Sequence, residues 1–205
     1  GIMKNLFVIT GANGAGKSTL SHYLLPTQWK SLSVFDGDKF FVEALKNIFP
    51  SQTKSPKYAR EEAFKRTITE FESLVSEAIH KQKDFAYEGH FSSDVPWDTI
   101  KKFKNEGYRV TMFFLMVENL SLSQKRVVER VKTGGHYVTP QEVEKNFIGN
   151  LIFLNQYHYL LDELIVADNS YINQPSLLLH HSDKDILYIA SQRPQWFEVY
   201  LPNLL

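Results

Sequence analysis

Gly11-Ala12-Asn13-Gly14-Ala15-Gly16-Lys17-Ser18-Thr19 is the stretch around which the chain is organised. It fits the pattern of glycine, four arbitrary residues, then Gly-Lys-Ser/Thr, and it follows an apolar run, Leu6 to Thr10, that reads as a buried strand. A loop of this kind curls its backbone N–H groups around a polyphosphate, while the lysine reaches the outer phosphates and the hydroxyl of Ser18 ligates magnesium. A purely structural glycine-rich turn would need neither the lysine nor two successive hydroxyls behind a strand. Gly11 to Thr19 therefore form the expected cofactor-binding loop, with Lys17 as a candidate catalytic cation on the phosphates and Ser18 as the Mg2+ ligand.

The rest of the composition narrows the partners. A chain of 205 residues suits one α/β domain, residues 1–205, with room for a lid. Acidic and basic residues number 23 each, so no global field favours nucleic acid or an anionic membrane, and a small molecule is the expected partner. With no cysteine, catalysis must use oxygen and nitrogen groups. No apolar run reaches membrane-spanning length and no charged leader precedes the first strand, so a cytoplasmic protein is expected. Gly1 and Ile2, ahead of Met3, read as a remnant of cloning.

After the loop, Lys17 to Leu25 reads as a helix with its N-terminus on the phosphates, stopped by Pro26. Ser31 to Phe35 reads as a second strand delivering Asp36-Gly37-Asp38 to the ligand crevice. Helices follow over 38–48 and 57–82; in the latter Phe64, Ile68, Phe71, Val75 and Ala78 form an expected core stripe, with Glu70 and Glu77 on another face. A strand over 84–88 ends at Glu88-Gly89-His90, and a helix over 96–105 leads to the most hydrophobic run, 108–117, expected as a central strand. Leu120 to Lys132 and Gln141 to Leu161 read as a helical hairpin joined by Thr133-Gly134-Gly135-His136-Tyr137-Val138-Thr139-Pro140, and 120–162 is the expected lid. A strand over 163–167 and a terminal hairpin, 177–181 with 186–190, complete the chain. Alternation of strands and helices predicts an α/β fold, a three-layer α/β/α sandwich with a mainly parallel central sheet and a helical lid.

A phosphate loop alone supports hydrolysis, switching or transfer, so the surrounding groups decide. Transfer to a hydroxyl needs a carboxylate beside the acceptor and cations that neutralise developing charge. Asp38 is the candidate base or acceptor-orienting group and Asp36 its competitor; either residue also suits a helix cap. Arg126 and Arg130, four residues apart and so on one helical face, are candidate clamps on the transferred phosphoryl group. Glu88 is placed to orient magnesium-bound water or an acceptor hydroxyl, and Glu77 is either a substrate carboxylate or a surface acid. The histidines give no His-x-x-x-His or His-Glu-x-x-His zinc spacing.

These residues carry a resemblance. Ala-Asn-Gly-Ala-Gly-Lys-Ser-Thr at 12–19, Val-Phe-Asp-Gly-Asp-Lys-Phe at 34–40, Tyr-Glu-Gly-His-Phe-Ser at 87–92, Arg-Val-Val-Glu-Arg-Val-x-x-Gly-Gly-His at 126–136 and Ala-Asp-Asn-Ser at 167–170 resemble the zeta-toxin family of P-loop kinases. The resemblance implies transfer of the γ-phosphate of ATP or GTP to a sugar hydroxyl of a nucleotide sugar, typically UDP-N-acetylglucosamine. It also implies, for some members, a small helical antitoxin as partner. By motif position it puts the catalytic aspartate on Asp38, the loop lysine on Lys17, a substrate-contacting glutamate on Glu77 and a lid arginine on Arg130. Two departures stand out: Glu144-Lys145-Asn146 occupies the region where relatives carry an arginine pair, and His90 stands where threonine is common. The expected substrate-binding set is Asp36, Glu77, Glu88 and His90. Two alternatives stay open: a kinase acting on another small metabolite or a polynucleotide end, and a catalytically vestigial nucleotide-binding protein of a toxin–antitoxin pair.

Overall fold

The computed structural model describes residues 3–171 and 174–205; Gly1 and Ile2, read above as a remnant, lie outside the described residues. β1 (Lys4–Gly11) is buried from Asn5 onward, as a strand covered on both faces must be. It lies third in a sheet ordered β2-β3-β1-β4-β5-β6-β7, in the middle of the five parallel strands it forms with β2 (Val34–Asp36), β3 (Phe85–Glu88), β4 (Tyr108–Met116) and β5 (Glu163–Asp168). β6 (Ser176–Ser182) and β7 (Asp185–Ile189) are antiparallel. They are joined through Asp183 and Lys184, both at positive φ, the conformation a two-residue hairpin turn demands.

Strand order reverses at β1: the chain first crosses to the edge at β2 and returns inward to β3 on one side, then builds outward through β4 and β5 on the other. The carboxyl ends of the parallel strands at such a switch point form a crevice, and Gly11, Asp36, Glu88 and Asp168 all stand on that rim.

The first five helices follow the expected boundaries closely: α1 (Lys17–Leu24), α2 (Gly37–Ile48), α3 (Pro56–Lys81), α4 (Val95–Asn105) and α5 (Leu120–Lys132); α6 (Pro140–Tyr157) is shorter than expected, and a short α7 (Gln195–Tyr200) had no counterpart among the expected elements. Each of α2, α3, α5 and α6 starts on a side-chain cap, from Asp36, Ser55, Asn119 and Thr139 respectively. Helices flank a mostly parallel sheet, giving the three-layer α/β/α arrangement. The core runs through Leu6 and Val8 of β1, Met112, Phe114 and Met116 of β4, Trp97, Ile100 and Phe103 of α4, and Phe147, Leu151 and Leu154 of α6.

Two expectations change. The α3 stripe is split: Phe71, Val75 and Ala78 pack on the sheet, whereas Phe64 is 59% and Ile68 40% exposed. α3 has 26 residues and so runs about 39 Å, past the edge of the sheet. There its buried face becomes Ala59 and Ala63, whose small side chains let Ala44 and Ile48 of α2 approach. The helix expected over 141–161 stops at Tyr157 and tightens into a 3-10 turn over His158–Leu160. α6 also carries Phe147, Leu151 and Leu154 into the main core, so between α5 and α6 it is residues 133–139 that lie outside regular structure at the mouth of the crevice.

Candidate functional site

β1 feeds its last residue directly into the glycine-rich loop. Gly11 sits at φ 130, and a Cβ there would overlap the carbonyl oxygen of Leu115 on the neighbouring strand. Gly16, at φ 86, caps α1 in the left-handed conformation, and a Cβ there would stand 2.7 Å from Asn169 Nδ2. No side chain caps α1, so its first N–H groups face the crevice, an arrangement suited to a phosphate.

Lys17 is buried and folds back on the loop, its Nζ donating to Gly11 O at 3.0 Å and to Ala12 O at 2.8 Å. Burial pushes its pKa down to about 8, opposed by the charges of Glu88 and Asp38 and assisted by Arg130. Ser18 Oγ lies 3.0 Å from Glu88 Oε1 and 3.2 Å from Asp36 Oδ2. Glu88 is pushed up to about 7, first by burial and then by the neighbouring charge of Asp36. A hydroxyl between two carboxylates is a set of hard oxygen donors. Mg2+ takes one or two carboxylates together with substrate phosphates and water, so these three residues fit it.

The crevice above them is a cleft of about 650 Å3. Its floor is the loop and the start of α1; one wall is Asp38, Lys39 and Val42 of α2, and the other is Arg126, Val127 and Arg130 of α5 with His136 and Val138 beyond. Asp38 stands exposed in the first turn of α2, with no hydrogen-bond partner among the described residues, and it acts on Lys17 through space. Asp36, by contrast, caps α2 by accepting from Lys39 N at 3.2 Å and shares Ser18.

The two arginines differ as well. Arg126 donates to Gly14 O at 3.0 Å, Asn169 O at 2.7 Å and Ser170 O at 2.6 Å, binding the loop to the end of β5. Arg130 is exposed on the cleft wall with no side-chain partner among the described residues, close enough to Lys17 to help depress its pKa. The structure thus brings Asn13, Gly14, Gly16, Lys17, Ser18, Thr19, Asp36, Asp38, Glu88, Arg126 and Arg130 to one cleft.

Glu77 and His90 do not join them. Glu77 lines a second groove of about 480 Å3 along β2, which meets the cleft at Asp36, Lys39 and Glu43. Its carboxylate bonds Lys81 at 2.9 Å and Lys83 at 3.4 Å, and the Lys81 hydrogen bond leads the effects holding its pKa below the ordinary range. His90 lies behind the loop, its Nδ1 3.1 Å from Asn150 Nδ2.

Several loop-bracing residues escaped the motif reading. Ser123 Oγ donates to Asn13 O at 2.6 Å, and Asn169 Nδ2 to Ala15 O at 3.0 Å. Asn146 Nδ2 donates to Asn13 Oδ1 at 2.9 Å, and Asn150 Nδ2 to Gly11 O at 3.1 Å. Lys145, beside Asn146, is exposed and does not line the cleft. One signal was available: Asn146 and Asn150 are spaced i,i+4 on the face of α6 that buries Val143, Phe147, Leu151 and Leu154. A polar pair on such a face needs buried partners.

The chain is similar to known proteins in sequence and in fold. An uncharacterized protein of Haemophilus influenzae is 26% identical over 147 residues, covering 71% of this chain and 95% of its own. Among solved structures, one from the PezAT chromosomal toxin–antitoxin system of Streptococcus pneumoniae superposes with a TM-score of 0.59 at 17% identity, covering 100% of this chain and 86% of that one. One from the AvrRxo1-ORF1:-ORF2 complex with ATP gives 0.69 at 16% identity, covering 100% and 65%. These likenesses establish the shared fold. The sequence description of the zeta toxin family matches residues 2–183, and the chain therefore belongs to the zeta-toxin family of P-loop kinases.

Proposed function

We propose that this chain transfers the γ-phosphate of ATP or GTP, with Mg2+, to a hydroxyl of a nucleotide sugar such as UDP-N-acetylglucosamine. The observation that carries the reading is the facing of a carboxylate, Asp38, and a guanidinium, Arg130, neither with a side-chain partner among the described residues, from opposite walls of the cleft above the buried Lys17. The loop N–H groups and the start of α1 bind the donor phosphates, and Lys17 exchanges the Gly11 and Ala12 carbonyls for phosphate oxygens. Asp38 accepts the proton of the acceptor hydroxyl and holds that oxygen in line. Arg130 supplies charge to the equatorial oxygens of the group in transit, while Arg126 keeps the loop in place beneath it. Ser18, Asp36 and Glu88 hold Mg2+, which supplies charge neutralisation at the donor phosphates when bound.

Closure is assigned to the lid region, 120–162, and within it to residues 133–139. Gly134 there has φ 89, and the His136 ring already stands 6.0 Å from Phe41 of α2 across the mouth. The groove that holds Glu77 continues from the cleft and takes the outer part of the acceptor. A small helical antitoxin is the protein partner this reading brings, in keeping with the toxin–antitoxin system to which the pneumococcal relative belongs. No helix among the described residues is long and apolar enough to cross a membrane.

The test is an acceptor screen: labelled ATP and GTP with Mg2+, offered UDP-sugars, nucleosides, small polyols and oligonucleotide 5′ ends, with products identified by mass spectrometry. A phosphorylated UDP-sugar is expected. Phosphorylation of oligonucleotide ends alone, or nucleotide binding without transfer to any acceptor, would contradict the reading.

A further inference from the structure

Asn150 is fully buried on the core-facing side of α6, and it uses both ends of its amide. Its Oδ1 accepts from Phe91 N at 2.5 Å; its Nδ2 has one proton for Gly11 O, at 3.1 Å, and one for His90 Nδ1, at 3.1 Å. One turn earlier, Asn146 Nδ2 donates to the side chain of Asn13 at 2.9 Å while its Oδ1 accepts from Ser92 Oγ at 3.4 Å. Gly149 makes this reach feasible: a Cβ there would stand 2.8 Å from Ser92 Cβ, so its bare backbone lets α6 lie close to the segment after β3.

The bonding has two chemical consequences. Gly11 O is shared between Lys17 Nζ and Asn150 Nδ2. When Lys17 leaves for a phosphate, Asn150 remains as a donor, so the carbonyl at the start of the loop is not orphaned and keeps its direction. Asn150 can give its second proton to His90 only if Nδ1 is the bare ring nitrogen, so this bond fixes the tautomer that carries its proton on Nε2.

We infer that Asn146 and Asn150, with His90 presenting a bare Nδ1 to Asn150, are positioning residues that brace the phosphate loop from behind. The inference rests on the reading of that loop as a nucleotide site. It makes His90 a support of the donor side, and it accounts for asparagine at 146: the side chain there meets the loop itself and not a phosphate.

The test pairs histidine 15N NMR with calorimetric titration of Mg-ADP. In the unaltered chain the His90 Nδ1 resonance should carry the signature of an unprotonated nitrogen. Asn150→Asp keeps the acceptor for Phe91 N but removes both donated bonds; it should move the proton to Nδ1 and raise the ADP Kd roughly tenfold, the scale of one lost hydrogen bond to a buried acceptor. Asn13→Ala cuts the Asn146 link from the half-exposed side, and should raise the Kd roughly threefold with little change in melting temperature. Should Asn150→Asp not fold, the unaltered tautomer and Asn13→Ala decide. A protonated Nδ1 in the unaltered chain, or an ADP Kd that neither variant moves, overturns the inference and leaves the nucleotide site standing. Failure of the unaltered chain to bind Mg-ADP overturns both.

Discussion

Arg126 and Arg130 stand one turn apart on α5, yet Arg126 gives its guanidinium to three backbone carbonyls while Arg130 meets no side-chain partner among the described residues. The contrast extends to the regions they belong to. The cleft floor is fastened by Ser123, Arg126, Asn146, Asn150 and Asn169, so its shape is set before any ligand arrives. The rim, made of Asp38, Arg130 and His136, is exposed or half-buried and holds its charged groups open. A donor that always brings the same triphosphate rewards a preorganised floor, since ordering costs are met in folding rather than on binding. On the proposed reading, Asp38 and Arg130 act only on the transition state, and such groups are best left unspent until an acceptor closes the site.

Substitutions on the two sides should separate. Lys17→Ala, on the floor, is expected to lower kcat about 10³-fold by removing a preorganised cation from the transferred group. Steady-state kinetics against Mg-ATP checks it. Arg130→Ala should lower kcat on the order of 10²-fold and leave the melting temperature near that of the unaltered chain. Arg126→Ala should instead cost about 1–3 kcal/mol of stability, because it strands three carbonyls, and calorimetry would register that as a lower melting temperature. Were Arg130→Ala the more destabilising of the two, the division between floor and rim would fail.

The pH dependence addresses the floor alone. On the proposed reading Lys17 must be charged to hold phosphate, and burial lowers its pKa to about 8. A depressed lysine keeps its charge below that value and loses it above. kcat/KM for the nucleotide, which reports the free enzyme, should therefore fall as pH rises through about 8. A flat profile from pH 7 to 9 would mean that the lysine is not so desolvated. The smallest effect is expected at Glu77, half-buried and already paired with two lysines: Glu77→Gln should raise the acceptor KM about threefold or less and leave kcat unchanged.

How far each region could be read from sequence follows the same division. The loop, the flanking strand and the element order were legible because they depend on local patterns: a glycine spacing, apolar runs and caps. Asp38 and Arg130 were legible because a short acidic turn after a strand, and arginines four apart, present themselves without knowledge of the fold. The bracing of the floor was not. Asn146 and Asn150 lie more than 130 positions from Asn13 and Gly11 along the chain, and only the packing of α6 near β1 brings them together. The exposure of Phe64 and Ile68 was hidden for a related reason, since the stripe that carries them is regular and only the length of α3 relative to the sheet decides where it stops being core. The separate duties of Arg126 and Arg130 depend on which carbonyls lie within reach, and spacing alone treats the two alike.

The account turns on Asp38 as the group that prepares the acceptor, so it is tested most directly by Asp38→Asn, an isosteric change at an exposed position. Nucleotide affinity would be measured by titration of Mg-ADP, and transfer by single-turnover formation of the phosphorylated acceptor. The account predicts nucleotide affinity within about twofold of the unaltered chain and transfer slowed by roughly 10²–10⁴-fold, the range for loss of a positioned general base. Transfer at close to the unaltered rate would contradict it.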